Sequence, residues 1–274
     1  MADTEHISIV ELGLDDAQAG LVLSTEAHWN QNEADWRFFL SKGIVFGVRD
    51  KDRLVATAAL LPYSAGNAWI SMVLVTMKWR RRGVATQLVD ACLNAARKLE
   101  LIPWLDATPD GAAVYGPLGF TPTLQLRRLR LANAKPAEAP QSLSTCGLDE
   151  FIARDSQAIG FDRSALVAEF CGRSGSHVLS NGNAMVIVRD GRTARHLGPM
   201  LADNPASALA LVNAVVQSET GPLLLDAVSS HDEFLRGLLG SGWIIERSFQ
   251  RMRFGPATAQ AEVPPFAVAG PEFG

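Results

Sequence analysis

Apolar residues recur along this chain first at every second position and then at helical spacing. The switches between the two periods outline two similar series of elements. Residues His6–Leu12 alternate apolar and polar, which predicts a strand. An amphipathic stretch runs from Asp15 to about Trp29, with Asp15 or Asp16 as its N-cap. Asn32 caps a second helix, EADWRFFLSK, and Gly43 ends it. Three strand-like runs follow at Ile44–Arg49, Leu54–Leu61 and Trp69–Thr76. In VATQLVDACLNAARKLEL, Val84, Leu88, Ala91, Cys92, Ala95 and Leu99 keep helical spacing. Trp104–Ala107 reads as a short buried strand, Gly111–Leu118 as a short helix and Phe120–Leu131 as a long strand.

Ala132–Ser142 (ANAKPAEAPQS) is rich in Ala and Pro and has no periodicity, so it reads as a linker. The reading divides the chain into a domain at 1–132, a linker at 133–142 and a second domain at 143–274. Beyond the linker, helices are expected at Asp149–Ile159 and Asp162–Phe170. Strands His177–Ser180 and Ala184–Arg189 are joined by Asn181-Gly182, a hairpin turn signal, and Thr193–Leu197 makes a third. Then come helix Asn204–Glu219, strand Leu223–Val228, helix Asp232–Leu239 and strand Trp243–Phe254. One segment repeats outright: PWLDA (Pro103–Ala107) parallels PLLLDA (Pro222–Ala227). Each is followed by a short helix and a Gly-aromatic pair, Gly119-Phe120 or Gly242-Trp243. With the shared order of elements, this points to an internal duplication.

Composition changes the picture little. The 274 residues are 47% apolar and 20% charged, with a net charge of -4, as in an ordinary globular chain of about two domains. That balance gives no global electrostatic case for nucleic acid. Three scattered cysteines, Cys92, Cys146 and Cys171, argue against a disulfide framework and for a reducing compartment. The N-terminus lacks the pattern of a signal peptide and the apolar runs are too short to span a membrane, so the expected location is the cytoplasm. The five histidines form no His-Glu-x-x-His or Cys/His cluster, and no metal is expected. Cys171 lies beside Arg173, but without a partner His it reads as an inert thiol.

The chemistry concentrates in MVLVTMKWRRRGVATQLV (Met72–Val89). A hydrophobic strand runs into a basic, Gly-containing turn that opens an amphipathic helix. A helix N-terminus presents unpaired N–H groups and the positive end of a dipole. Gly83 permits positive φ or close approach, and Ala85 keeps the first turn accessible. Lys78, Arg80, Arg81 and Arg82 add positive charge, with no Asp or Glu between Asp52 and Asp90. Taken alone, an Arg-rich turn is more often a solvated loop. Set between strand and helix, it predicts a strongly anionic ligand.

At these residues the chain resembles the GNAT acetyltransferase superfamily. Its motif Arg/Gln-x-x-Gly-x-Gly/Ala is matched by Arg80, Gly83 and Ala85, and ATPDGAAVYGPLGF places Tyr115 ahead of Gly119-Phe120 as in the family. The segments WNQNEADW, GFDRSAL, LGPMLAD, FQRMRFG and the tail AGPEFG further resemble bacterial tandem proteins, in which a GNAT domain precedes a degenerate GNAT-like one. The resemblance implies an α/β (α+β) fold of two GNAT-like domains, each a mixed, largely antiparallel twisted sheet flanked by helices. It implies acetyl-CoA as co-substrate, with Val73, Leu74 and Val75 offering backbone groups to the pantetheine arm in the manner of an added strand. The pyrophosphate would lie on the N–H groups of Arg81, Arg82, Gly83, Val84, Ala85 and Thr86, beside Arg80. Tyr115 becomes the candidate general acid, since a phenol of pKa ~10 carries a proton at neutral pH. Its bland reading is a tyrosine packed on the sheet.

The resemblance places Trp29, Asn30 and Trp36 at the acceptor side, although packing alone makes both tryptophans core residues. Glu26, Glu33, Asp35 and Asp106 are candidates for a base. Asp35 also fits a helix N-terminal carboxylate beside Asn32, Asp106 could satisfy nearby backbone, and a water chain needs no carboxylate. The base is left open. The second half departs from the motif. Gly198-Pro199 stands where the basic turn is expected, Pro199 has no N–H, and Asp203 adds negative charge near the helix start. The position of Tyr115 falls on Leu235 or Leu238. The second half is thus expected to bind no CoA and to wall off the acceptor pocket or mediate self-association as a homodimer. The leading expectation is a bacterial N-acetyltransferase acting on an amine, of a small molecule or a protein Lys. The alternative is a non-catalytic acyl-CoA sensor or ligand-binding module.

Overall fold

A computed structural model describes residues 8–138, 143–256 and 263–274. They pack as two compact units, Met1–Pro62 with Gly66–Pro103, and Tyr63–Ala65 with Trp104–Gly274.

In the first unit, strands β1 (Ile9–Glu11), β2 (Ile44–Asp50), β3 (Arg53–Pro62) and β4 (Asn67–Val75) pair antiparallel in chain order. The expected amphipathic stretch from Asp15 to Trp29 is a 3-10 turn, Leu14–Asp16, followed by α1 (Ala17–Glu26), which stops short of Trp29. Helix α2 (Glu33–Lys42) matches its expected bounds. Asn32 Oδ1 accepts from Asp35 N at 3.1 Å, and Asn32 N donates to Asp35 Oδ2 at 3.0 Å, a reciprocal cap that satisfies two helix-end groups. The base candidate Asp35 is therefore a capping carboxylate. Glu33 pairs with Arg37 one turn on. Helix α3 (Val84–Lys98) packs on β2, β3 and β4, burying Val84, Leu88, Val89, Cys92, Leu93 and Ala96 along one face. Trp36 belongs to this core. It is 0% exposed, and its Nε1 donates to Ser24 Oγ at 2.9 Å. Its ring lies so close to Gly20 that a Cβ there would meet it at 2.4 Å. An acceptor-lining role for Trp36 is corrected accordingly: the residue has no surface to offer.

The second unit holds residues of β5 (Ile102–Ala107), then β6 (Phe120–Ala134), β7 (His177–Asn181), β8 (Ala184–Arg189), β9 (Arg195–Leu201), β10 (Gly221–Val228) and β11 (Ile244–Phe254). Their spatial order is β5-β11-β6-β10-β9-β8-β7, antiparallel except for the β9–β10 pair. Helices α4 (Pro109–Tyr115), α5 (Leu148–Ile159), α6 (Ser164–Gly172), α7 (Pro205–Ser218) and α8 (Asp232–Gly240) complete it. Leu197, Leu211, Val215, Leu223, Phe234 and Trp243 are among the residues at the centre of its core.

Two elements differ from expectation. The linker read from Asn133 begins inside β6, because Ala134 still pairs with Gly221. Its residues 139–142 lie outside the described ones, as do 6 and 7 of the first strand. Strand β9 runs through Gly198-Pro199, joined by a cis peptide, so these residues sit in a strand and not in the turn.

The repeated segments explain the strand order. Asp106, from the first repeat, lies opposite Arg251 of β11 in register, and Asp226, from the second, opposite Arg128 of β6. Both pairs are bidentate, at 2.9 and 2.8 Å and at 2.8 and 2.9 Å. Each half thus holds the last strand of the other against its own repeat. Asp106 is corrected from acceptor or base candidate to ion-pair partner. Burial pushes its carboxyl up, with Arg251 pulling the other way.

Candidate cofactor site

Strand β4 carries a β-bulge ahead of the basic turn. The partners Thr57↔Leu74 and Ala59↔Ser71 leave one extra residue in β4, and Met72 takes φ +52° there. Thr57 Oγ1 fixes the bulge by donating to Met72 O at 2.8 Å. Val73 and Val75 are half-buried and Leu74 is buried.

After Val75 the chain turns in one 3-10 turn, Met77–Trp79, becomes extended at Arg80, and passes Arg81 at φ +62° and Gly83 at φ +76° into α3. Positive φ at alternate residues curls successive N–H groups toward a common concavity, the form that binds anions. Gly83 O accepts from Gln87 N at 3.1 Å, closing the first helical bond. The N–H groups of Gly83, Val84, Ala85 and Thr86 therefore lie ahead of the helical ladder, and among the described residues no side chain caps them. A Cβ built on Gly83 meets nothing within 4 Å among the described residues, so the approach to these groups is open. Lys78, Arg80, Arg81 and Arg82 are exposed around it, with Arg82 over the Trp79 ring at 5.2 Å.

One residue at the turn was read in the sequence for another role. Glu26, at the C-terminal end of α1, accepts from Thr76 Oγ1 at 2.5 Å and from Met77 N at 3.1 Å, and lies 3.6 Å from Arg53. The Thr76 hydroxyl, then the Met77 N–H, then Arg53 and Arg80 hold its carboxyl below the usual range. A carboxylate so stabilised is a poor base at neutral pH. Its role is to tie the end of β4 to α1. Arg80 Nε in turn donates to Val75 O at 2.9 Å. Leu23, Glu26, Ala27, Leu74, Val75 and Arg80 border a narrow groove at this junction.

The sequence candidates therefore divide. Val73–Val75, the turn and the first turn of α3 come together in the first unit, as do Trp29, half-buried, and Asn30, buried, in the α1–α2 connection. Tyr115 and the Trp104–Ala107 part of β5 lie in the second unit. Tyr115 ends α4, and its ring packs edge-on against Phe120 at 5.9 Å. Gly111 leaves it room, since a Cβ there would sit 3.3 Å from the Tyr115 ring.

The corresponding turn of the second half is Ala202–Asn204, with no basic residue. Asn204 Oδ1 accepts from Ser207 N at 2.9 Å and so caps α7, whose first residue, Pro205, has no N–H. Asp203 is held by Arg154 and Asn183. The helix start is open in the first half and capped in the second.

Two family models match the chain: Acetyltransferase (GNAT) family over residues 14–120 and Acetyltransferase (GNAT) domain over residues 152–264. The chain belongs to the GNAT acetyltransferase family. It is similar to the uncharacterized N-acetyltransferase YitH of Bacillus subtilis, with 21% identity over 81% of this chain and 83% of that one. It is also similar to a holothin acyltransferase of Pseudoalteromonas, with 25% identity over 70% and 68%. A putative acetyltransferase of Pyrococcus horikoshii shares the fold across 98% of this chain and 96% of its own, with a TM-score of 0.83 and 18% identity. A tandem GNAT protein from the clavulanic acid biosynthesis pathway does so across 92% and 100%, with a TM-score of 0.64 and 16% identity. This GNAT protein is thus an acyltransferase with two GNAT domains. Among its described residues, no helix is long and apolar enough to cross a membrane, and no three His, Cys, Asp or Glu residues are grouped to hold a metal ion.

Proposed function

We propose that this GNAT protein transfers an acetyl group from acetyl-CoA directly to the amine of a small molecule, in the bacterial cytoplasm. Residues 1–132 would form the acetyl-CoA-binding domain and 143–274 its degenerate partner. The observation that carries the reading is the open, uncapped start of α3 behind an exposed basic turn. Four unpaired N–H groups, a helix dipole and four cations suit a pyrophosphate, and the α7 start with its Asn204 cap does not.

Acetyl-CoA supplies an activated thioester. In the assigned chemistry the acceptor nitrogen bonds to the acetyl carbon, the carbon–sulfur bond breaks, and Tyr115 donates its phenolic proton to the departing sulfur. The amine's proton leaves through water. Glu26, Glu33, Asp35 and Asp106 are all engaged elsewhere by caps or ion pairs. A small-molecule acceptor is favoured over a protein Lys by the relative whose name specifies holothin. Trp29 and Asn30 remain the assigned acceptor-side residues.

Calorimetry with acetyl-CoA on the wild type and Gly83→Asp tests the cofactor assignment. Aspartate tolerates the left-handed conformation and caps a helix, so the fold should hold while its carboxylate repels the anion. Wild-type binding that falls at least about tenfold in the variant is expected, equivalent to ~1.4 kcal/mol. Absence of binding by the wild type would end the acetyltransferase reading.

A further inference from the structure

In the order of elements, β9, α7 and β10 of the second half stand where β4, α3 and β5 stand in the first, so the counterpart of the proposed cofactor site lies at β9 and β10. These parallel strands pair at Leu223↔Arg195 and Leu224↔His196. Farther along, a third segment stands between them. Ala267 bridges antiparallel to Met200 of β9 on one side and to Ala227 of β10 on the other. Phe266 N donates to Met200 O at 2.9 Å and Met200 N to Ala267 O at 2.9 Å. On the opposite edge, Val228 N donates to Phe266 O at 3.1 Å and Val268 N to Asp226 O at 3.0 Å. The inserted strand thus takes up backbone groups that two diverging strands would otherwise leave unpaired.

The rest of the tail is built in as firmly. Phe266 stacks on His231 at 4.0 Å, and Phe273 meets Phe170 edge-on at 5.1 Å. The carbonyls of Ala269, Phe273 and Gly274 accept from the buried Arg189, from the Tyr63 hydroxyl and from the buried Arg163. Gly198 of β9 is the matching feature on the cleft wall, since a Cβ there would lie 2.1 Å from Val268 O. Only glycine lets the tail lie in this place. Beside the entry, the end of α5, the end of β9 and Val263–Pro265 line an open cavity of about 590 Å³.

We propose that residues 263–274 are the resident ligand of the second half's cofactor cleft. This strand of the chain's own takes the place of a pantetheine arm and closes the cleft to acyl-CoA, leaving one acyl-CoA site per chain. The identity of the excluded ligand rests on the acetyltransferase reading; the filling of the cleft does not.

The test is to place a specific protease site between Pro256 and Val263, nick the folded protein and pass it over gel filtration. The wild-type nicked protein should retain the 263–274 peptide. The same chain carrying Val268→Pro, which removes one cleft hydrogen bond, should release it about tenfold faster. Loss of the wild-type peptide with no drop in melting temperature would overturn the proposal. Amide exchange on the intact wild type reads the same point without a variant. Phe266 and Val268 should exchange as slowly as Leu225 of β10, and exchange at the rate of an exposed segment would overturn it. Titration of the intact protein with acetyl-CoA should saturate at one equivalent, and two would overturn the closure. No binding at all would sink the acetyltransferase reading, whereas peptide retention would still establish the filled cleft.

Discussion

His196 gives the fold a pH sensitivity that can be worked out from its surroundings. The imidazole is 1% exposed, and its Nε2 lies 3.0 Å from Asp226 Oδ2. Its pKa is lowered from 6.5 to about 4: burial lowers it most, the charge of Arg189 adds to this, and Asp226, itself shared with Arg128, opposes both. Folding therefore holds the ring neutral in a range where the unfolded chain protonates it. Between the two pKa values the unfolded state binds about one more proton, so stability rises with pH there and falls on acidification. Integrating from pH 7 to pH 5 gives a loss of about 2 kcal/mol. His196→Gln keeps an N–H donor for Asp226 and cannot titrate. Urea unfolding of both proteins between pH 7 and pH 5 should show the wild type losing about 2 kcal/mol more than the variant. Glu26, Asp162 and Asp226 have lowered pKa values and lose stability as pH falls, but around and below their ordinary carboxylate range. Asp106 and Glu219, with raised values, act in the opposite sense. Glu26, Asp106, Asp162 and Glu219 are common to both proteins and cancel in the difference, while Asp226, whose pKa lies well below its ordinary value, stays ionised in the folded state from pH 7 to pH 5. Parallel pH profiles for wild type and variant would refute the reasoning.

Arg251→Ala leaves Asp106 buried without its partner and should cost about 3–5 kcal/mol in chemical unfolding. Arg128→Ala should cost a similar amount through Asp226, and a loss below about 1 kcal/mol for either would contradict the clamp. Gly20→Ala pushes a methyl into the Trp36 ring and should destabilise by about 1–3 kcal/mol in the same measurement, despite alanine's better helix propensity.

Much of this fold was legible because local pattern and tertiary structure agree. Helix α2 has its expected bounds, since Asn32 and Gly43 do the work their residue types suggest. Helix α3 and most strands fall within a few residues of their periodic runs. The failures are of one kind. Gly198-Pro199 reads locally as a turn, yet it lies in β9 because Gly198 makes room for the Val268 carbonyl, a requirement set far along the chain. Asn133 and Ala134 read as linker, yet they continue β6 beside β10. Glu26 looked like a base because nothing in its neighbourhood in sequence shows that Thr76 and Met77 will bind it. The exchange of β6 and β11 is equally hidden, because period-2 patterning fixes the faces of a strand and not its neighbours. Of the site, the turn and α3 were readable, while the acceptor side was not: Trp36 could be core or lining until its burial was known.

The duplication explains how one chain carries both an open helix end and a closed one. The repeats supply each half with the same buried aspartate, and each aspartate grips a strand from the other half. Neither set of ion pairs can form without both halves, so the fold needs the second half whether or not that half binds a cofactor. An empty cleft between β9 and β10 would leave backbone groups unpaired, a costly surface for an element the fold needs. Cap and tail remove that cost in two places. Asn204 satisfies the start of α7, and residues 266–268 satisfy the strand edges. In the first half the start of α3 keeps its N–H groups uncapped and its Gly83 open. Unsatisfied polar groups persist in a fold where a ligand will meet them, and this supports the proposed acetyl-CoA site in the first half.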